Sequence, residues 1–162
     1  AGWKKIEGNE PVYIDYTCVI NGYTADAQRV FVMGVLDDEL LRANETALVI
    51  QGELVNMMRP GVAWSDVWSR SEEIAREAGL LDHYMGMGVE RVRFVGHGVG
   101  LELDEFPVFA LGFDQALKTG MTFALEPKFV FDRGAVGIEN TFALTESGVE
   151  RLTRFGQNIH YI

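Results

Sequence analysis

One cysteine, Cys18, stands in the 162-residue chain, so no disulfide can form within it. Its place in an apolar run predicts a buried thiol, and such sparing use of cysteine fits a reducing, cytoplasmic compartment. Basic residues are scarce too: 14 lysines and arginines face 24 acids, for a net charge of −10. A surface of that sign repels phosphates, which argues against nucleic acid as a partner. No apolar run is long enough to span a bilayer, so no membrane partner is expected. The stretch Ala1-Gly2-Trp3-Lys4-Lys5 lacks the apolar segment of a secretion signal. What remains, 48% hydrophobic and 23% charged residues, is the composition of one globular domain with a real core.

Residues 12–20 are β-branched and aromatic, as strands prefer, and Asn21-Gly22 follows, a strong hairpin signal. With Asn21-Gly22 as a two-residue loop, Ile20 faces Tyr23, Thr17 faces Asp26 and Asp15 faces Gln28. Alternation then gathers Asp15, Thr17, Asp26 and Gln28 on one face, with Asp15 and Asp26 diagonal neighbours roughly 7–8 Å apart. Residues 37–58 repeat apolar positions at three-to-four spacing and predict a helix that Pro60-Gly61 ends. A second helix is expected with Ser65 as its cap, Val67, Trp68, Ile74, Ala75 and Ala78 inward, and Gly79 as its stop. Residues 84–90 read as a loop, 92–95 as a short strand, 113–118 as one helical turn and 121–131 as one strand. Residues 136–145 return as its partner, and the tail from Val149 is expected at a sheet edge. With Arg133-Gly134 as the loop of this second hairpin, Glu126 and Glu139 share a face, offset by one pair.

His97 stands between Gly96 and Gly98, with Asp104 and Glu105 close behind. Glycine admits close backbone approach, so the stretch suits a metal or substrate site as well as a turn with a packed histidine. Asp15, Asp26, Glu126 and Glu139 lie inside apolar strands, where unpaired charges are costly. Lys128 is the basic residue placed to pair with one of the second set. Two readings fit: separate solvated edge charges with an unrelated histidine, or a cage. Four carboxylates and a neutral imidazole balance two divalent ions, and that donor set suits Mn, Fe, Co or Zn. His83 and His160 are expected near the surface with no catalytic part.

Ile14-Asp15-Tyr16-Thr17, Gly22-Tyr23-Thr24-Ala25-Asp26-Ala27-Gln28-Arg29, Gly96-His97-Gly98-Val99-Gly100, Leu125-Glu126-Pro127 and Ile138-Glu139-Asn140-Thr141 together resemble the pita-bread metallopeptidases. That family includes methionine aminopeptidases, Xaa-Pro aminopeptidases and prolidases. The resemblance implies an α+β fold, a curved antiparallel sheet with helices on its outer face. It implies that residues 1–162 are one catalytic domain lacking an N-terminal portion. By the same resemblance Asp15 holds one divalent metal ion, Asp26 and Glu139 bridge, and His97 with Glu126 holds the second, manganese, cobalt, iron or zinc. A bridging water is the implied nucleophile, and Glu126 shuttles its proton. The expected reaction is aminopeptidase hydrolysis after the first residue of a short peptide. Arg29 and residues 101–105 look like the Xaa-Pro branch, while Asp15-Tyr16-Thr17 looks like the methionine branch.

Three departures bear on that expectation. Asp104 stands where the family usually has a histidine that donates to the substrate carbonyl, and an ionised Asp only accepts. With His97 and Glu126 it is still counted among the catalytic candidates. Gly137 stands where the proline-specific branch usually has an arginine. Only fourteen residues precede Asp15, so a bare apolar surface and self-association, as a homodimer, are expected. A non-catalytic binding module on the same fold is the alternative that Asp104 and Gly137 favour. A metal-free hydrolase of creatine-like compounds fits poorly, because those relatives lack the carboxylate set.

Overall fold

A computed structural model describes residues 3–162, so the first two residues of the amino-terminal stretch considered above lie outside the described residues. Strands β1 (Pro11–Ile20) and β2 (Tyr23–Val32) form the first hairpin in the register read from the sequence, with Asp15 opposite Gln28 and Thr17 opposite Asp26. Asn21 and Gly22 both take positive φ, 53° and 86°, the backbone that a two-residue loop between twisted strands requires. Helix α1 (Asp38–Met57) begins where Asp37 accepts the Leu40 amide, and it buries Leu40, Ala43, Ala47, Ile50 and Leu54. Helix α2 (Trp64–Glu77) buries Val67, Trp68, Ile74 and Ala75, as its spacing predicts, while Ala78, also expected inward, is the C-cap and only partly buried. Its cap differs from expectation. Ala63 is the N-cap, and Ser65 lies in the first turn, donating its hydroxyl to Asp114 instead.

A 3-10 turn, Leu81–His83, precedes the segment read as a loop, and a second, Gly88–Glu90, closes it. Then come β3 (Phe94–Gly98), β4 (Glu105–Ala110), β5 (Thr122–Leu125), β6 (Lys128–Phe131), β7 (Gly134–Gly137), β8 (Asn140–Thr145), β9 (Gly148–Arg151) and β10 (His160–Tyr161). A five-stranded sheet runs β4-β3-β5-β8-β9, a three-stranded sheet runs β1-β2-β10, and β6 and β7 form a ribbon. Pairing is antiparallel except where β10 joins β2. The two sheets meet at an isolated bridge between Gln28 and Glu139. An aromatic core of Trp68, Tyr84, Phe109, Phe123, Phe129 and Phe142 fills the space between sheet and helices.

Several local expectations are corrected. The strand placed at 92–95 lies at Phe94–Gly98 and runs through the glycines. A Cβ on Gly96 would sit 2.2 Å from the Ala124 carbonyl oxygen, and one on Gly98 would sit 2.3 Å from that of Phe106. Those glycines therefore serve close strand packing rather than a turn. Segment 113–118 is extended, because its backbone is committed to residues 61–65 through bonds such as Trp64 N–H to Gln115 O and Leu117 N–H to Val62 O. The strand expected over 121–131 breaks at Glu126-Pro127, where proline offers no amide hydrogen and the chain leaves β8 for β7. The second hairpin loop is Asp132-Arg133, and Gly134, at φ 135°, opens β7. Cys18 is exposed, since residues 14–20 of β1 are uncovered on both faces. β9 takes the predicted edge position.

Candidate metal centre

Each expected acid is delivered by a different piece of sheet. β1 and β2 bring Asp15, Thr17 and Asp26 to one face. The Thr141 hydroxyl fixes Asp26 from behind, accepting its amide at 2.9 Å and donating to its carbonyl at 2.7 Å. Glu139 arrives beside Gln28, the two exchanging backbone bonds of 3.3 and 3.5 Å. The buried Arg29 guanidinium secures that junction. It donates to the carbonyls of Gln28 and Glu139 at 2.6 and 2.7 Å, to Asn140 Oδ1 at 2.8 Å, and to the carbonyl of Gly156 at 2.5 Å.

His97 Nε2 lies 3.6 Å from Glu126 Oε1, 3.8 Å from Asp26 Oδ2 and 4.0 Å from Glu139 Oε1. These separations are too long for hydrogen bonds and leave space between the groups. On its other side Nδ1 lies 3.1 Å from the Gly98 carbonyl, which can only accept, so Nδ1 is placed to donate there and Nε2 faces the acids. Ligand atoms of Asp26, His97 and Glu139 all fall within 4.8 Å of one another, and all three residues are buried. Asp15 is exposed at the mouth. It lines the same cavity of about 390 Å³ with Thr17, Asp26, His97, Leu103, Asp104, Glu126 and Glu139, and no helical residue lines it. The helices thus lie away from this cavity.

Burial, with Glu126, Asp26 and Asp15 close by, pushes Glu139 up to about 10. Burial and Asp15 raise Asp26 to about 6. The Tyr13 hydroxyl is driven up by burial and by the same acids. Asp26 Oδ1 is buried without a partner among the described residues. Closely set carboxylates, one unpartnered oxygen and an imidazole whose Nε2 faces them make a donor set that fits divalent cations. Glu126 is the exception to the crowding, because Lys128 Nζ donates to its Oε2 at 2.6 Å, which is the pairing Lys128 was placed to make.

Asp104 sits on the exposed loop after β3, with Oδ1 3.3 Å from His97 Nδ1. A second cavity, about 410 Å³, opens there between Phe94, His97, Asp104, Glu105, Phe106 and Val108. Gly137 is sterically closed: a Cβ there would lie 2.6 Å from the Pro127 carbonyl oxygen and 2.8 Å from Lys128 Cα. No larger residue fits opposite Lys128. His83 and His160 are half-buried and remote from this site, stacked on Phe131 and on Phe31 and Phe155. Gln28 was placed on the acids' face by alternation without a role. Its full burial between them could be found only once Glu139 was known to lie alongside.

The Xaa-Pro dipeptidase of Pyrococcus furiosus is 33% identical over 155 residues, covering 95% of this chain and 42% of that protein. The crystal structure of a dipeptidase from Pyrococcus horikoshii OT3 superposes with a TM-score of 0.90 at 30% identity, over 99% of this chain and 44% of that one. An X-Pro aminopeptidase from Thermotoga maritima gives 0.88 at 26% identity, over 97% and 43%. The chain thus spans less than half the length of these relatives. Its α+β architecture is the pita-bread fold they share. The family model for metallopeptidase family M24 matches residues 2–146, a span that holds every strand of the acidic cavity, and the chain belongs to that family.

Proposed function

We propose that this chain supplies the metal-binding part of a dinuclear peptidase that removes the first residue of short peptides, with Xaa-Pro peptides as substrates. Asp15 would hold one ion, Asp26 and Glu139 would bridge, and His97 with Glu126 would hold the second, with manganese, cobalt, iron or zinc as candidates. When bound, the ions supply Lewis-acid pull on the substrate carbonyl and acidify a water toward neutrality. The rest falls to the chain's own side chains. Glu126 has Oε2 held by Lys128, so Oε1, which faces His97, is the oxygen left for the cation and for the proton that Glu126 takes and returns. His97 keeps Nε2 aimed at the acids because Gly98 holds Nδ1–H. Asp104 reaches both cavities and meets the substrate's polar groups, while Phe94, Phe106 and Val108 offer an apolar wall to its side chain.

The observation that carries this reading is the convergence of buried Asp26, Glu139 and His97, where Lys128 binds a different acid. Similarity to proteins named Xaa-Pro dipeptidase and X-Pro aminopeptidase favours the proline branch. Calorimetry of the EDTA-treated chain with Mn²⁺ should give about two sites, the number a two-metal mechanism requires. Chromatography should then detect free proline released from an Xaa-Pro dipeptide. Absence of binding at millimolar Mn²⁺ would refute the proposal. Binding without hydrolysis of Xaa-Pro or Met-initiated peptides would favour the second reading, a non-catalytic module, for which Asp104 and the closed Gly137 position speak. The same reading takes the molecule as one partial catalytic domain working in the cytoplasm. It pairs with a second copy through the uncovered face of β1, where Ile14, Tyr16 and Ile20 are exposed.

A further inference from the structure

Along β2 the residues of one face run Asp26, Gln28, Val30, Val32, and along β1 the same face carries Thr17, Asp15 and Tyr13. Val30 and Val32 belong to the core, against which Tyr13 packs. Gln28 therefore stands where an acid-lined cavity passes into apolar packing. It is the direct cross-strand partner of Asp15, and on its other flank it forms the bridge to Glu139. Directly opposed residues of antiparallel strands carry Cβ atoms about 4.5–5.5 Å apart on one face. Gln28 thus lies between two of the proposed ligands and two residues along the strand from a third.

Gln28 is fully buried, at 0% exposure, and neither Nε2 nor Oε1 has a hydrogen-bond partner among the described residues. Folded proteins seldom leave an amide so placed, and each case needs a cause. Two further orphans share its face: the Tyr13 hydroxyl and Asp26 Oδ1. Their chemistries are complementary. Nε2 and the phenol donate, while Oδ1 and Oε1 accept. Asp26 presents Oδ2 to His97 at 3.8 Å, which leaves Oδ1 for a donor behind it. An amide at this point adds a donor without adding charge to a cavity already holding Asp15, Asp26, Glu126 and Glu139. A leucine or methionine would fill the space with no polar atom left wanting.

We propose that Gln28 is a positioning residue of the metal centre: unpartnered in the ion-free chain, its Nε2 donates to Asp26 Oδ1 when the ions are bound, holding that carboxylate turned toward them, while the Tyr13 hydroxyl donates to Gln28 Oε1. The inference rests on the metal-binding reading above. Hydrogen bonds behind a ligand fix its orientation, and losing them typically weakens metal binding 10- to 100-fold.

The test uses Gln28→Met and Tyr13→Phe in this chain, with Mn²⁺ binding by calorimetry and thermal unfolding of the EDTA-treated protein. Gln28→Met should weaken Mn²⁺ binding about 10- to 100-fold. Its ion-free melting temperature should stay equal or rise, because an unsatisfied buried amide is replaced by an apolar chain of similar size. Tyr13→Phe should move both readouts in the same directions by less. A Gln28→Met protein that binds Mn²⁺ as tightly as wild type overturns the inference alone. So does one that melts earlier with affinity unchanged, the mark of a packing role. Should Gln28→Met fail to fold by circular dichroism, Tyr13→Phe decides, and unaltered affinity there overturns the proposal. A wild-type chain that binds no Mn²⁺ removes the metal-binding reading, and this inference falls with it.

Discussion

Replacing Glu139 with glutamine should change how the ion-free chain responds to pH more than it changes stability at any acidic pH. Glu139 is buried at 2% exposure, and burial with the neighbouring acids raises it from 4.5 to about 10. A group whose folded value lies above its unfolded one stabilises the fold fully below the unfolded value, and that stability is lost as pH rises toward the folded value. Ion-free wild type should therefore weaken steadily from about pH 4.5 to about pH 10. Each unit corresponds to about 1.4 kcal/mol, so the interval from pH 6 to pH 8 removes on the order of 2–3 kcal/mol. That is a large share of a typical 5–15 kcal/mol. Asp26, raised from 3.8 to about 6, contributes its loss mostly below that interval. Glutamine mimics the protonated carboxyl without titrating, so Glu139→Gln should match wild type near pH 5 and exceed it at pH 8. Urea unfolding in EDTA at pH 5, 6, 7 and 8 measures both slopes. Saturating Mn²⁺ should then restore wild type at pH 8, by about 2.7 kcal/mol at a hundred times its dissociation constant, and do little for the variant. Parallel slopes for the two proteins, or a wild type that gains stability with pH, would refute the reasoning.

Lys128→Met should tighten Mn²⁺ binding several-fold in calorimetry, because it removes an ammonium bonded to a cavity acid, Glu126. Gly137→Arg should lower stability by about 1–3 kcal/mol in urea unfolding without sharpening proline preference, since its Cβ would collide with Pro127 and Lys128 backbone. Asp104→His should raise kcat/KM on an Xaa-Pro dipeptide by up to about 100- to 1,000-fold, the worth of one oxyanion donor, and Asp104→Ala should leave it at or below wild type. Unchanged kcat/KM in both would remove Asp104 from the substrate's path. Ile20→Lys, on the uncovered face of β1 where Ile20 is 68% exposed, should shift light scattering toward monomer.

How far the fold could be read depended on whether a residue's partner was local. Asn21-Gly22 fixes a two-residue loop, and a two-residue loop fixes every pair along β1 and β2, so the face holding Asp15 and Asp26 followed from the sequence. The second ribbon survived an error of one residue in its loop, because moving a two-residue loop shifts partners by two and preserves parity. Glu126 and Glu139 therefore stayed on a common face. The glycines beside His97 were different. Glycine is poor in strands by propensity, and its use here is set by carbonyls of Ala124 and Phe106, which no nearby residue announces. Segment 113–118 likewise takes its shape from residues 61–65.

Cys18 and Gln28 show the two sides of the same gap. Alternation assigns a face but not what covers it. The even-numbered face of β1 is apolar and lies open, so Cys18 is exposed where an apolar run predicted burial. The odd-numbered face is polar near the turn and is closed at Gln28 by Glu139, from more than a hundred residues away in the chain. A glutamine between apolar valines and acids reads, from sequence alone, as one more polar residue on a ribbon. Buried there with both amide atoms unpartnered, it becomes a question about what those atoms are for, and the acids on either side supply the chemistry of the answer.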